Sequence, residues 1–189
     1  RRGRVGSWGW GSGFSSFPPL AGTNDIFHAD ASVLYVSTHQ GGIFPYTGKA
    51  GDVGSGDGEG ATINLPLPAD AGNAALLAAF DGVVEPALTR FRPDIIIVSA
   101  GYDAHWSDPL ASLQATTATF HALASRLVAT ADALCAGRLV FLLEGGYSPR
   151  HLGENVADTV RAVLGIPSTD RYNPALLRDP PTDKVRAAI

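Results

Sequence analysis

Residues 94–110 read DIIIVSAGYDAHWSDPL. The run Ile95 to Val98 carries no charge and no polar alternation, which predicts a strand over 94–99 buried on both faces. Gly101 lets the chain turn, and Asp103 follows within a few residues. A carboxylate placed there needs partners, because an unpaired buried charge is costly.

Similar punctuation recurs on either side. RLVFLL (138–143) is a second apolar strand and runs into LEGGY (143–147), while SVLYVS (32–37) and TINLPL (62–67) read as two more strands. Helical patterns lie between them, over roughly 116–134 before Gly137 and over 152–164 before Gly165 and Pro167. From Ala71 to Phe91, apolar residues such as Leu76, Phe80, Val84, Leu88 and Phe91 recur at helical spacings, with Pro86 expected to kink or divide the helix. Strands alternating with helices imply an α/β fold, a parallel sheet flanked by helices on both faces.

The beginning of the chain differs. GSWGWGSGFSSFPP (6–19) shows neither helical nor strand periodicity, so residues 1–21 read as an atypical Gly/Ser-rich segment, with Trp8 and Trp10 unstructured. Residues 22–166 read as the folded domain and 167–189 as a tail wrapping its surface. GDVGSGDGEG (51–60) matches neither a phosphate loop nor a calcium loop, and Asp52, Asp57 and Glu59 would repel phosphate. It is expected to be a structural or rim loop, and an unrelated nucleotide-binding domain is the least favoured function.

Composition sets further limits. The 189 residues suit one domain, and 45% hydrophobic with 17% charged residues fits a globular chain. A net charge of −4 argues against nucleic-acid binding. The single cysteine, Cys135, excludes an internal disulfide and reads as a buried helical residue. No run approaches the length of a membrane span, and the start has no secretory apolar region. Cytoplasm or nucleus is the default compartment, with a plastid or mitochondrion possible.

Ligands in open parallel sheets bind beyond the carboxyl ends of the strands. Asp103 follows one such end and Tyr147 another, and neighbouring strands would bring both to one crevice. Gly101, Gly145 and Gly146 permit close backbone approach. A carboxylate and a phenol there suit a cation and a polarised carbonyl. A helix-capping aspartate and a satisfied core tyrosine fit the same pattern.

AGYDAHWSDPL and FLLEGGY, preceded by DIFHADASVLYVSTHQ and GIFPYTGK, resemble the histone deacetylase superfamily, in its class II, plant and bacterial form. The resemblance covers roughly 22–166 and implies an arginase-like α/β fold and zinc-dependent removal of acetyl groups from acetyl-lysine or a related acetylamide. It implies Asp103 as a zinc ligand, Tyr147 as the oxyanion donor and Gly145 and Gly146 as the turn presenting it. Phe44 and Leu110 would form walls of the acyl tunnel, where Tyr46 replaces a usual glycine. His39 is expected to be structural and His105 a neighbour of the site, while His28, His121 and His151 are expected on helices or the surface. Implied partners are an acetylated protein, such as a histone or tubulin, or a small acetylamide such as a polyamine.

The family's remaining zinc ligands come from D-x-D-x-H-H-G-N-G-T before the DIF block. An ungapped count places Ser16 and Pro18 at those ligands, and the base and acid histidine pair has no counterpart. The domain is therefore expected to be incomplete on its N-terminal side, unable to hold zinc, and inactive alone. Strands beside 32–37 or 94–99 would then be missing, favouring self-association. A truncated or mis-joined product is preferred over a true pseudoenzyme that binds acyl groups or partners without hydrolysis.

Overall fold

Trp8 and Trp10 are two residues apart, so in a strand both point to one face. They do so in β1 (Val5–Gly11), and both are fully buried. The computed structural model describes residues 3–11, 19–43 and 46–170, with 19–21 as backbone only. Its sheet has five strands, all parallel, in the order β3-β2-β1-β4-β5. The others are β2 (Val33–Gln40), β3 (Thr62–Leu67), β4 (Ile95–Ala100) and β5 (Leu139–Leu143).

The expectation that Trp8 and Trp10 are unstructured is therefore wrong. Their segment is the middle strand, hydrogen-bonded to β2 on one side and β4 on the other. Strands 32–37 and 94–99 consequently have their neighbour, and the anticipated gap beside them does not exist. Glycine at positions 6, 9 and 11 hid the alternation. Gly6 has a packing reason, since a Cβ there would lie 2.8 Å from Leu88 Cδ2.

The helices follow from the sequence more directly. α1 (Pro19–Phe27) precedes β2; α2 (Asn73–Ala79) and α3 (Glu85–Phe91) are joined by a π turn over Phe80–Val84. Pro86 closely follows the π turn, and the helix continues through it rather than being divided. α4 (Thr117–Cys135) starts with a capping box from Thr116 and Thr119, and α5 (Pro149–Val163) packs against it. Cys135 is buried, as its helical context implies.

The two tryptophans share one sheet face with Val36, Leu65, Ile96, Val98 and Phe141, and this face packs on Phe80, Leu123 and Leu127. Aromatic rings meet at its centre, Trp8 on Phe80 (5.2 Å) and Trp10 on Phe120 (6.2 Å). The opposite face is covered unevenly. Over β2 and β3, α1 and the 51–60 loop bury Tyr35, Ser37 and Asn64. Over β4 and β5, Ile95 and Ile97 are half-buried and Val140 and Leu142 exposed. β4 is thus buried fully on one face only, a correction to the reading of 94–99.

Candidate functional site

The carboxyl ends of β1, β4 and β5 converge. Gly101 N–H donates to Trp10 O (2.9 Å), Glu144 N–H to Ala100 O (3.1 Å) and Tyr102 N–H to Gly145 O (2.8 Å). Parallel pairing of β4 with β5 thus brings the Asp103 and Tyr147 loops together, as their positions after two strands predict.

Asp103 lies in the 3-10 turn Tyr102–Ala104 and is only 2% exposed. Glycine backbone surrounds its carboxylate. A Cβ on Gly145 would stand 2.7 Å from Oδ2, one on Gly11 2.8 Å from Oδ1, and one on Gly101 3.1 Å from Oδ1. Any side chain at 145 or 11 would displace the carboxylate. Gly146 has φ +133 and would put a Cβ 2.9 Å from Leu152, so glycine is required there as well.

Tyr147, in the loop after β5, is 36% exposed. Burial, reinforced by Asp103, Asp108 and Glu144, raises its phenol above the ordinary value. The hydroxyl therefore keeps its proton at neutral pH and can donate a hydrogen bond. Glu144 is raised as well, by burial against the opposing Ser99 Oγ–H hydrogen bond (3.1 Å).

Asp108 is a residue the sequence reasoning passed over. Its Oδ2 accepts the Tyr147 N–H (2.7 Å) and its Oδ1 the Leu110 N–H (3.0 Å). One buried carboxylate thereby fixes both the tyrosine loop and the Leu110 loop. The signal was present: an aspartate bonding the N–H two residues on, across a proline, is a common turn. Leu110 is 43% exposed, and Phe44 lies outside the described residues, as do Ser16 and Pro18. Tyr46 is exposed with φ +66, a conformation suited to the glycine it replaces.

His28 lies in the turn after α1, half-buried beside Asp52 (3.5 Å), while His121 and His151 lie on α4 and α5. His39 is half-buried between Ser37 Oγ (2.8 Å) and Gly48 O (3.0 Å), and desolvation lowers its pKa. His105, two residues after Asp103, is buried and linked to Ser107 Oγ (2.7 Å), which also bonds His151 Nδ1 (2.8 Å) on α5. Burial, with His151 stacked alongside, pushes His105 down to about 4. The unfolded imidazole takes up its proton near the ordinary 6.5, before the folded one does. Stability from this residue is thus complete above that value, falls as pH drops from 6.5 toward 4, and is flat below. Urea melts across this window should show a steeper loss for the parent chain than for His105→Gln. The expected difference is on the order of 3 kcal/mol.

Residues 21–163 match the histone deacetylase domain. The chain belongs to the histone deacetylase family. It is 55% identical over 170 residues to histone deacetylase 10, chloroplastic, of Oryza sativa subsp. japonica, covering 89% of this chain and 38% of that protein. To histone deacetylase 14, chloroplastic, of Arabidopsis thaliana it is 52% identical, covering 89% and 40%. Among solved structures it superimposes on the HDA15 HD domain with a TM-score of 0.75 at 35% identity, covering 86% of this chain and 46% of that one. On the histone deacetylase Clr3 the TM-score is 0.83 at 29% identity, covering 98% and 30%. The chain thus spans about two fifths of its plant relatives. The α/β fold with a parallel sheet and flanking helices is that of histone deacetylase domains.

Proposed function

We propose that this chain supplies the Asp103 and Tyr147 side of a deacetylase-type amide-hydrolysis site, and that its residues do not complete that site alone. The observation carrying this reading is the glycine cradle, Gly11, Gly101 and Gly145, around Asp103. Glycine stands where further donors would have to approach.

Zinc is the metal the family implies, and a catalytic zinc ordinarily takes three protein ligands plus water. Among the described residues no three His, Cys, Asp or Glu side chains form a group that could hold a metal ion. Residues 12–18, SGFSSFP, bring none of these four types in sequence. Among the described residues the donor set does not fit, so no step is routed through the metal.

What remains is binding and polarisation. The protonated Tyr147 hydroxyl can donate to the carbonyl oxygen of an acetylamide, held in place by the Asp108 bond to its backbone. Leu110 would line the acyl chain, and the substrate class is an acetylated lysine of a protein or a small acetylamide. No general base for the attacking water is proposed among the described residues. The tie through Asp108 favours a second reading, a non-catalytic acyl-binding module, because it keeps phenol and wall positioned without the donors. The plastid is the proposed compartment, since both plant relatives are named chloroplastic.

The test is acetate release from an acetyl-lysine peptide by the purified chain with zinc supplied. No turnover above background is expected. Turnover that Tyr147→Phe abolishes would contradict incompleteness.

A further inference from the structure

α5 opens on a serine that does not cap it. Ser148 is the N-cap, with extended backbone (φ −102, ψ 99), yet its side chain makes no bond to the N–H groups of the first turn. A serine at this position ordinarily satisfies one of them, so the helix start forgoes a stabilising contact. Ser148 Oγ instead meets the imidazole of His151 at Nδ1 (2.9 Å). The same Nδ1 meets Ser107 Oγ (2.8 Å), from the loop between Asp103 and Leu110. One ring nitrogen thus joins the residue after Tyr147 to the loop that carries Asp103 and Asp108.

The bonding fixes where the protons lie. A backbone N–H only donates, and Ser107 N–H reaches His105 Nδ1 (3.3 Å). That nitrogen therefore bears a lone pair, and the proton of His105 is on Nε2. Nε2–H faces Thr117 Oγ1 (3.5 Å), whose own proton goes to Asn155 Oδ1 (2.6 Å). Ser107 Oγ–H accordingly donates to His105 Nδ1 (2.7 Å). A hydroxyl has one proton, so toward His151 the Ser107 oxygen can only accept. His151 carries its proton on Nδ1, shared between the two serine oxygens. Its ring stacks on that of His105 at 4.9 Å.

Tyr147 is anchored on both sides by these contacts. Asp108 Oδ2 accepts its N–H (2.7 Å), and His151 holds Ser148 directly after it. The phenol-bearing residue is 36% exposed, so burial alone does not fix it. Gly145 and Gly146, directly before it, add no stiffness.

We propose that His151 is a positioning residue for Tyr147, acting as its Nδ1–H tautomer through Ser148 and Ser107. The role rests on the reading of Tyr147 as the donor that polarises an acetylamide carbonyl.

Heteronuclear NMR of the isotopically labelled chain at neutral pH tests it. The imidazole nitrogens should show the proton of His151 on Nδ1 and that of His105 on Nε2. His151→Leu should speed hydrogen exchange of the Tyr147 amide about tenfold, the loss expected for one hydrogen-bonded tie, while the β4 amides keep their rates. His151→Asn, whose side-chain N–H takes the place of Nδ1–H, should restore the parent rate, and His151→Gln should not. A His151 proton on Nε2 in the parent chain would overturn the proposal. So would parent-rate exchange of the Tyr147 amide in His151→Leu, or no rescue by asparagine. Neither readout involves turnover, so failure here is distinct from failure of the site reading, which acetate release decides.

Discussion

Trp10→Ala is expected to lower stability by about 3–5 kcal/mol, the cost of emptying a buried aromatic site. That is a large share of what a domain of this size possesses. Trp10 is fully buried on the central strand and touches four rings, Trp8 (4.8 Å), Tyr102 (6.5 Å), Phe120 (6.2 Å) and Phe141 (6.2 Å). Little can collapse into the space, because these neighbours belong to β1, β5, α4 and the Asp103 turn. Trp10→Phe should cost much less. The indole Nε1–H finds no acceptor among the described residues, and an orphaned buried donor carries its own penalty of about 1–3 kcal/mol. Phenylalanine removes that donor while keeping most of the ring. Urea denaturation of the three chains checks both statements. Equal stability of Trp10→Ala and parent would mean that 5–11 is not the core strand.

The same strand marks the limit of what the sequence revealed. β4 and β5 were legible because IIIV and LVFLL have few other uses in a folded chain, and the π turn ahead of Pro86 is where the helical pattern is adjusted. β1 was not legible, because Gly6, Gly9 and Gly11 interrupt its apolar pattern. Only the Trp-x-Trp spacing carried the strand period. At the site, the approach of Asp103 to Gly145 could be read from two parallel strand ends with glycines after each. The contact of Gly11 with Asp103 could not, since it depends on β1 lying between β2 and β4. The Gly11 side of the site therefore hinges on a segment whose composition resembles a loop.

That placement also sharpens the metal question. Gly11, the last residue of β1, presents bare backbone to Asp103. From Arg1 to Asn24 the sequence holds no Asp, Glu, His or Cys. A single carboxylate is a poor zinc site beside one with three ligands, and even changes behind the ligands cost roughly 10–100-fold in affinity. Loss of two ligands should cost far more.

Zinc content after equilibration with zinc and exhaustive dialysis tests this claim most directly. The account predicts well under one equivalent per chain, with no difference between the parent and Asp103→Ala. One retained equivalent per chain, lost in Asp103→Ala, would contradict it.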